Sequence, residues 1–350
     1  MSKIHPYPRI PTVVGTGLVA LDIVISSNPD VPPYQWAGGT CGNVLTILSY
    51  LGWNAYPIAR LNAESSAMHA KKDMERWKIK MDFIGTEPVA SIPVITQEIT
   101  TDKNGLPKHK FHWKNCPKCG SWLPNYRPVT LKATAQVKQG IAKADVFFFD
   151  RVSPGALDLA RYYKSSGCTV FFEPSAKGNP KQFEEAISLA DIVKYSDQRF
   201  TTVVAKKSDA LRPSLEIQTL GENGLRYRTK HDARWSHLPA CKAVDLVDTC
   251  GCGDWTTAGI IHRLVDIENS GAEDTLSQPV IEAAMRYGQA LGAWNCGFEG
   301  ARSGMYQVSK KQFFSEIDSI LQGGSHKPRH ISKALSAQYA SDGLCPACPH

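Results

Sequence analysis

Residues 131–196 read LKATAQVKQGIAKADVFFFDRVSPGALDLARYYKSSGCTVFFEPSAKGNPKQFEEAISLADIVKYS, and the rhythm of this stretch decides the fold. A helical segment from Ala133 to Ala142 leads into the strand DVFFFD. A second, Ala156 to Ser165, leads into CTVFFEPS, and a third, Pro180 to Leu189, leads into DIVKYS. The strands are short apolar runs without alternation, as expected where both faces of a sheet are covered. Repeated βα order predicts an α/β architecture: a mostly parallel central sheet with helices on its faces.

Working outward, Thr12 to Ile25 (TVVGTGLVALDIVI) reads as one buried strand region interrupted by Gly15-Thr16-Gly17, with Asp22 as its one charge. A Pro-rich loop follows, then Gly38 and Gly39, then helical spacing from Asn43 to Leu51 that ends at Gly52. Residues 67–80 read as a charged surface helix, and SIPVITQEIT as an exposed or half-buried strand. Asn104-Gly105 marks a hairpin turn, and HKFHWKNCPKCGSWLPNY shows no periodicity. Downstream, SLEIQTLGENGLRYRT reads as two strands joined through Gly221–Gly224, and residues 279–295 as a helix rich in small residues. One domain is expected over 12–322, with a linker and tail over 323–350.

The chain has 350 residues, 42% hydrophobic and 21% charged, a globular composition with ample core material. No apolar run is long enough to span a membrane, and MSKIHPYPRIP lacks the apolar core of a signal peptide. A cytoplasmic location is expected, so the ten cysteines suggest metal binding or buried thiols more than disulfides. The net charge is +7, and seven Lys or Arg with no Asp or Glu fall between Lys103 and Lys132. That segment reads either as a solvated basic loop or as a surface that meets an anion.

The strongest chemical signal is Asp248-Thr249-Cys250-Gly251-Cys252-Gly253-Asp254, followed by an apolar helix. Two glycines allow a tight turn, so the amides of Gly251, Cys252 and Gly253 can converge at a helix N-terminus and form an anion hole. Such a hole suits the charge on a transferred phosphoryl group. A carboxylate would repel a passively bound phosphate. Asp254 makes sense there as a general base taking a proton from an attacking hydroxyl, the plainer alternative being an acid in the first turn of a helix.

This segment resembles the second signature of the pfkB carbohydrate kinase family, usually Asp-Thr-x-Gly-Ala-Gly-Asp, with Cys252 in the place of Ala. Gly38-Gly39, Asn43 and Leu51-Gly52 are similar to the first signature. Thr219-Leu220-Gly221 with Gly224 resembles the nucleotide-side strand and turn, and Gly300-Ala301-Arg302 the closing nucleotide loop. The resemblance spans about residues 12–321. It implies a ribokinase-like three-layer α/β/α fold with a small β lid formed by segments near 23–37 and 91–130. It also implies an ATP-dependent, Mg²⁺-assisted kinase acting on a small-molecule acceptor. Asp22, Gly38, Gly39 and Asn43 would bind the acceptor, and Ser196, Arg199, Thr219, Gly221, Gly224 and Thr249 the nucleotide. On the residues alone, Asn43 reads as a helix cap and Asp22 as a turn residue.

Two departures stand out. Ser196-Asp197-Gln198-Arg199 replaces the family's Asn-x-x-Glu, which is associated with magnesium and phosphate, and Arg60-Leu61-Asn62-Ala63-Glu64 replaces a Gly-Asp-Asp-like stretch. Arg199 could give positive charge directly to a phosphate, and Glu173 and Asp197 could order Mg²⁺ waters. The basic segment carries His109, Phe111, His112, Trp113, Trp122 and Tyr126, which suits an anionic or aromatic acceptor such as a nucleoside, nucleotide or phosphosugar.

Cys116-Pro-Lys-Cys119-Gly is a knuckle sequence, and the tail offers a second pair, Cys345 and Cys348, with His350 close behind. Four thiolates would complete a structural Zn²⁺ site clipping the tail to the insertion. The alternatives are two unrelated pairs or a redox-active tail. Cys41, Cys168, Cys241, Cys250 and Cys296 read as buried thiols. A second functional reading keeps the scaffold but makes it a nucleic-acid-binding or regulatory protein, because basic residues interleaved with aromatics suit single strands. Related enzymes often pair through the lid, so a homodimer is one expected assembly.

Overall fold

A computed structural model describes residues 9–103, 105, 107–203, 212–269 and 276–324, without the side chains of 266–269. Its central sheet has nine strands in the order β13-β12-β11-β10-β9-β8-β1-β4-β5. These are β1 (Thr12–Thr16), β4 (Asn54–Leu61), β5 (Ile84–Thr86), β8 (Val146–Phe149), β9 (Thr169–Phe172), β10 (Ile192–Ser196), β11 (Leu215–Thr219), β12 (Leu225–Thr229) and β13 (Ser236–Leu238). All pairings from β5 across to β11 are parallel, and β12 and β13 add antiparallel strands at one edge.

The βα rhythm is realised as read. Phe147, Phe148 and Phe149 are all fully buried, Phe148 in one apolar cluster with Phe171 and its two neighbours in the opposite cluster with Phe172. That two-sided burial is why these strands lack alternation. Helix α4 (Pro154–Ser165) starts where the Ser153 hydroxyl accepts from Ala156 N, with Pro154 in its first turn. Helix α5 (Pro180–Leu189) starts the same way, with the Asn179 side chain accepting from Lys181 N and Gln182 N. Side-chain caps with proline just inside account for both starts.

Other expectations need correction. The region Thr12–Ile25 is two strands in two sheets: β1 lies inside the large sheet between β8 and β4, and β2 (Ala20–Ile25) belongs to a second sheet of order β3-β2-β6-β7. The bend comes at Gly17, where a Cβ would overlap the Asp150 carboxylate. Strand β3 (Tyr34–Gly38) occupies the end of what reads as a loop, and β7 (Pro107–His112) runs into the start of the stretch without periodicity. Strand β6 (Val94–Thr101) is half-buried as expected, with Val94, Thr96 and Gln97 inaccessible and Thr100 and Thr101 exposed. Helix α1 spans Thr40–Tyr50 with Gly39 at its N-cap, so Asn43 sits inside the helix and is not its cap. Helix α2 (Ser65–Arg76) is a surface helix whose inner face buries Ala67, Ala70, Asp73 and Met74. Among the described residues no helix is long and apolar enough to cross a membrane.

Candidate active site

Seven parallel strands deliver their C-terminal ends to one edge of the large sheet, where open α/β sheets bind ligands. Glu173 directly follows β9, Ser196 closes β10, and Thr219 closes β11, opposite Ser196 in the ladder. The Gly-rich turn brings Asp254 to the same edge, because Lys194 of β10 donates to Gly253 O at 3.2 Å. Lys194 is 2% exposed, and its ammonium also meets Glu173 Oε1 at 2.6 Å. Thr257 donates to the other Glu173 oxygen at 2.6 Å. Each oxygen of Glu173 therefore accepts one hydrogen bond and keeps a further lone pair.

Helix α6 (Cys252–Asn269) begins in the turn, with Asp254 in its first turn. Gly251 has φ +74°, and a Cβ there would lie 2.5 Å from Ala301 Cα, so only glycine fits. The first amides of a helix have no intrahelical acceptors and point along its axis, which aims the Gly251–Gly253 segment outward. The Cys252 amide leans back to Thr249 O at 3.3 Å, a long contact that a better acceptor could displace. Asp254 is partly exposed. Burial raises its pKa to about 7, Glu173 adds to the shift, and Asn43, Lys194 and Arg199 oppose it.

Asn43 donates from Nδ2 to Asp254 Oδ2 at 2.7 Å, and its Oδ1 accepts from Arg302 Nε at 2.9 Å. Both ends of the side chain are thus committed to protein groups, so its first duty is to hold Asp254. Asp22 lies on β2 beside Gly38, where a Cβ would fall 1.8 Å from Asp22 Oδ2. Burial pushes Asp22 up to about 6 against the Arg302 charge and the Gly39 amide. Asp22 Oδ1 is buried without a hydrogen-bond partner among the described residues.

Asp248, the first residue of the signature, ties three regions together. It accepts from Cys250 N at 3.0 Å, Gly300 N at 2.8 Å and Gln97 Nε2 of β6 at 2.7 Å, and His109 of β7 approaches at 3.4 Å. Burial opposes its ionisation, but the bonds from His109, Cys250, Gly300 and Gln97 prevail and hold its pKa below the usual carboxylate range. The small sheet is thereby fastened to the turn. Gly300 of the expected nucleotide loop is tied to Asp248, and Arg302 is fully buried behind Asn43.

Ser196, Thr219, Gly221 and Gly224 cluster at the ends of β10 and β11, with Asp197 N donating to Thr219 O at 3.0 Å. Thr249, Asp197 and Arg199 are exposed. Lys194, Asp73 and Thr257 escaped the sequence reading. Lys194 had a visible signal, as the lone charge inside the apolar strand IVKYS.

Cys116 and Cys119 bracket a formed knuckle: Cys116 N donates to Ser121 O at 2.8 Å and Gly120 N to Cys116 O at 3.0 Å. Cys345, Cys348 and His350 lie outside the described residues, and among the described residues no group of three His, Cys, Asp or Glu could hold a metal ion. Cys41 and Cys168 are buried, whereas Cys241, Cys250 and Cys296 are only partly so, and Cys252 Sγ meets Cys296 Sγ at 3.2 Å.

The family model of the pfkB family carbohydrate kinases matches residues 34–307. An ATP-dependent ribose-1-phosphate kinase of Halopiger xanaduensis is 26% identical over 285 residues, covering 81% of this chain and 88% of that protein. A probable fructokinase-2 of Arabidopsis thaliana is 30% identical over 137 residues, or 37% of this chain and 40% of that one. Among solved structures, the aminoimidazole riboside kinase of Salmonella enterica superposes with TM-score 0.65 at 19% identity, covering 87% of this chain and 99% of that one. A nucleoside kinase of Burkholderia thailandensis in complex with inosine gives 0.63 at 18% identity, covering 91% and 100%. The fold is that of ribokinase-like enzymes: three layers, a mostly parallel central sheet and a second small sheet.

Proposed function

The chain belongs to the pfkB family of carbohydrate kinases, phosphotransferases with an alcohol acceptor, and from that premise we propose that it moves the γ-phosphoryl group of ATP to a hydroxymethyl group of a sugar, nucleoside or phosphorylated sugar. The observation that carries this reading is Asp254: a partly exposed carboxylate beside the Gly251–Gly253 turn, held by Asn43 at 2.7 Å. Asp254 takes the acceptor's hydroxyl proton. The oxygen so freed bonds to the γ-phosphorus as the bond to the β–γ bridging oxygen breaks and ADP departs. The amides of Gly251, Cys252 and Gly253 meet the charge on the transferring group.

Asp22, Gly38 and Gly39 bind acceptor hydroxyls, with Asn43 between them and the base. Ser196, Arg199, Thr219, Gly221, Gly224 and Thr249 line the nucleotide side. Mg²⁺ would screen the phosphate charges when bound; it keeps mostly water and phosphate oxygens in its shell, so it needs few protein ligands. The exposed carboxylate of Asp197 is available to that shell, and Arg199, standing where the family has Glu, adds positive charge.

The small sheet acts as the lid and a surface for homodimer pairing. Zn²⁺ would be held by Cys116, Cys119, Cys345 and Cys348 and would stiffen the insertion, and cysteine usage fits a cytoplasmic setting. The relative that phosphorylates ribose 1-phosphate, together with the basic insertion, favours an anionic acceptor. A second reading, single-stranded nucleic-acid binding, is favoured by Trp113 and Trp122, which are 56% and 77% exposed within the basic segment.

The test is a phosphorylation panel of sugars, nucleosides and phosphosugars with ATP, run on the wild type and on Asp254→Asn. Turnover of at least one acceptor, lost in the variant while ATP still binds, is expected. Salt-sensitive RNA or DNA binding without turnover would favour the second reading instead.

A further inference from the structure

Arg302 is 0% exposed, a charged side chain sealed inside the protein. Its Nη2 donates to Asp73 Oδ2 at 3.1 Å and to Ala37 O. Asp73, on α2, is itself held by Tyr306 OH at 2.8 and 3.0 Å and by Ala37 N at 3.0 Å. The guanidinium is therefore clamped, with Nε aimed at Asn43 at 2.9 Å.

A guanidinium donates and cannot accept. The end of the Asn43 carboxamide that faces Arg302 must be the oxygen. The NH₂ end must then face Asp254, which lies 2.7 Å away and has to accept. An Asn side chain free to rotate by 180° would offer its oxygen to Asp254, an arrangement that suits only the protonated acid. A base that holds a proton is silent.

We propose that Arg302 is a positioning residue: by fixing which way round the Asn43 carboxamide sits, it holds Asp254 as a hydrogen-bond acceptor, ionised and ready to take the acceptor's proton. The inference rests on Asp254 being the base. It explains why a charge is buried in a segment that otherwise reads as a nucleotide loop: the loop returns to the acceptor side carrying the group that sets the polarity of Asp73, Arg302, Asn43 and Asp254 in series. Because Asp254 has a pKa near 7, the contest between the two amide orientations falls at working pH. The other charges facing Asp254, namely Glu173, Lys194 and Arg199, come from β9, β10 and the loop after β10, and remain in place when Arg302 is changed. Those facing Arg302 are Asp73, Tyr306 and Asp22.

The experiment is the pH profile of kcat/KM for wild type, Asp254→Asn, Arg302→Met, Asn43→Ala and the Arg302→Met/Asn43→Ala double variant. Arg302→Met alone strands the Asp73 carboxylate in the interior, which threatens folding. The profile is therefore also taken on Arg302→Met/Asp73→Asn, in which both charges leave together. The acid limb is expected to move up by about one pH unit in both Arg302 backgrounds, with much of the lost rate recovered at alkaline pH. In the Asn43→Ala background, Arg302→Met is expected to add no further shift. A uniform fall in rate at every pH, or a shift that persists without Asn43, would overturn the inference while leaving the base assignment intact. A wild-type profile without an acid limb would overturn both.

Discussion

The C-terminal edge of the central sheet and the insertion over residues 103–127 are built on opposite principles. At and behind the sheet edge, buried charges engage neighbours: Lys194 with Glu173, Arg302 with Asp73, Asp254 with Asn43. In the insertion, Lys and Arg outnumber acids completely, and Trp113 and Trp122 stand in solvent. A buried network fixes geometry and tunes proton affinity, whereas exposed charge sets which ligands approach and how salt affects them. The contrast assigns chemistry to the first region and selectivity to the second.

The contrast breaks most directly at Asp254. Asp254→Asn keeps the Asn43 contact possible but removes the base, and a fall in kcat of about 10²–10⁴-fold is expected in a steady-state assay. Gly251→Ala comes next. A methyl at φ +74°, 2.5 Å from Ala301 Cα, forces the turn open. A loss of about 10²-fold in kcat is expected, together with a lower Tm in thermal unfolding.

The insertion should respond differently. Charge reversal in Lys114→Glu/Lys118→Glu is expected to raise KM for an anionic acceptor about tenfold with kcat unchanged. The difference should shrink at high ionic strength. A kcat effect there would merge the two regions and spoil the division. The smallest effect is expected from Cys116→Ser: loss of bound zinc by metal analysis, and a fall in Tm of roughly 2–4 °C for each kcal/mol of lost site stability. Unchanged metal content would remove the clip.

The two regions also differ in how much their sequence discloses. The βα repeat was legible because strands buried on both faces and capped helices leave local marks, such as the Phe147–Phe149 run and Ser153-Pro154. The Gly-rich turn was legible because its glycines and Asp254 are contiguous. The contacts that join Asn43 to Arg302 and Asp254 were not. Asn43, Asp73, Arg302 and Asp254 meet across hundreds of residues, and each alone reads as a cap, a surface acid, a loop cation or a first-turn acid. Strand β7 was hidden for another reason. Its side chains remain exposed or half-exposed along its length, so no apolar rhythm marks it.

The central claim is that a carboxylate at the sheet edge takes the acceptor's proton, and the pH dependence of kcat/KM for the wild-type enzyme with its best acceptor tests it most directly. Burial raises the pKa of Asp254, so the base is lost as pH falls through about 7, and kcat/KM should decline with unit slope below that point. A profile that stays flat down to about pH 5, the range of an unperturbed carboxylate, would contradict the account.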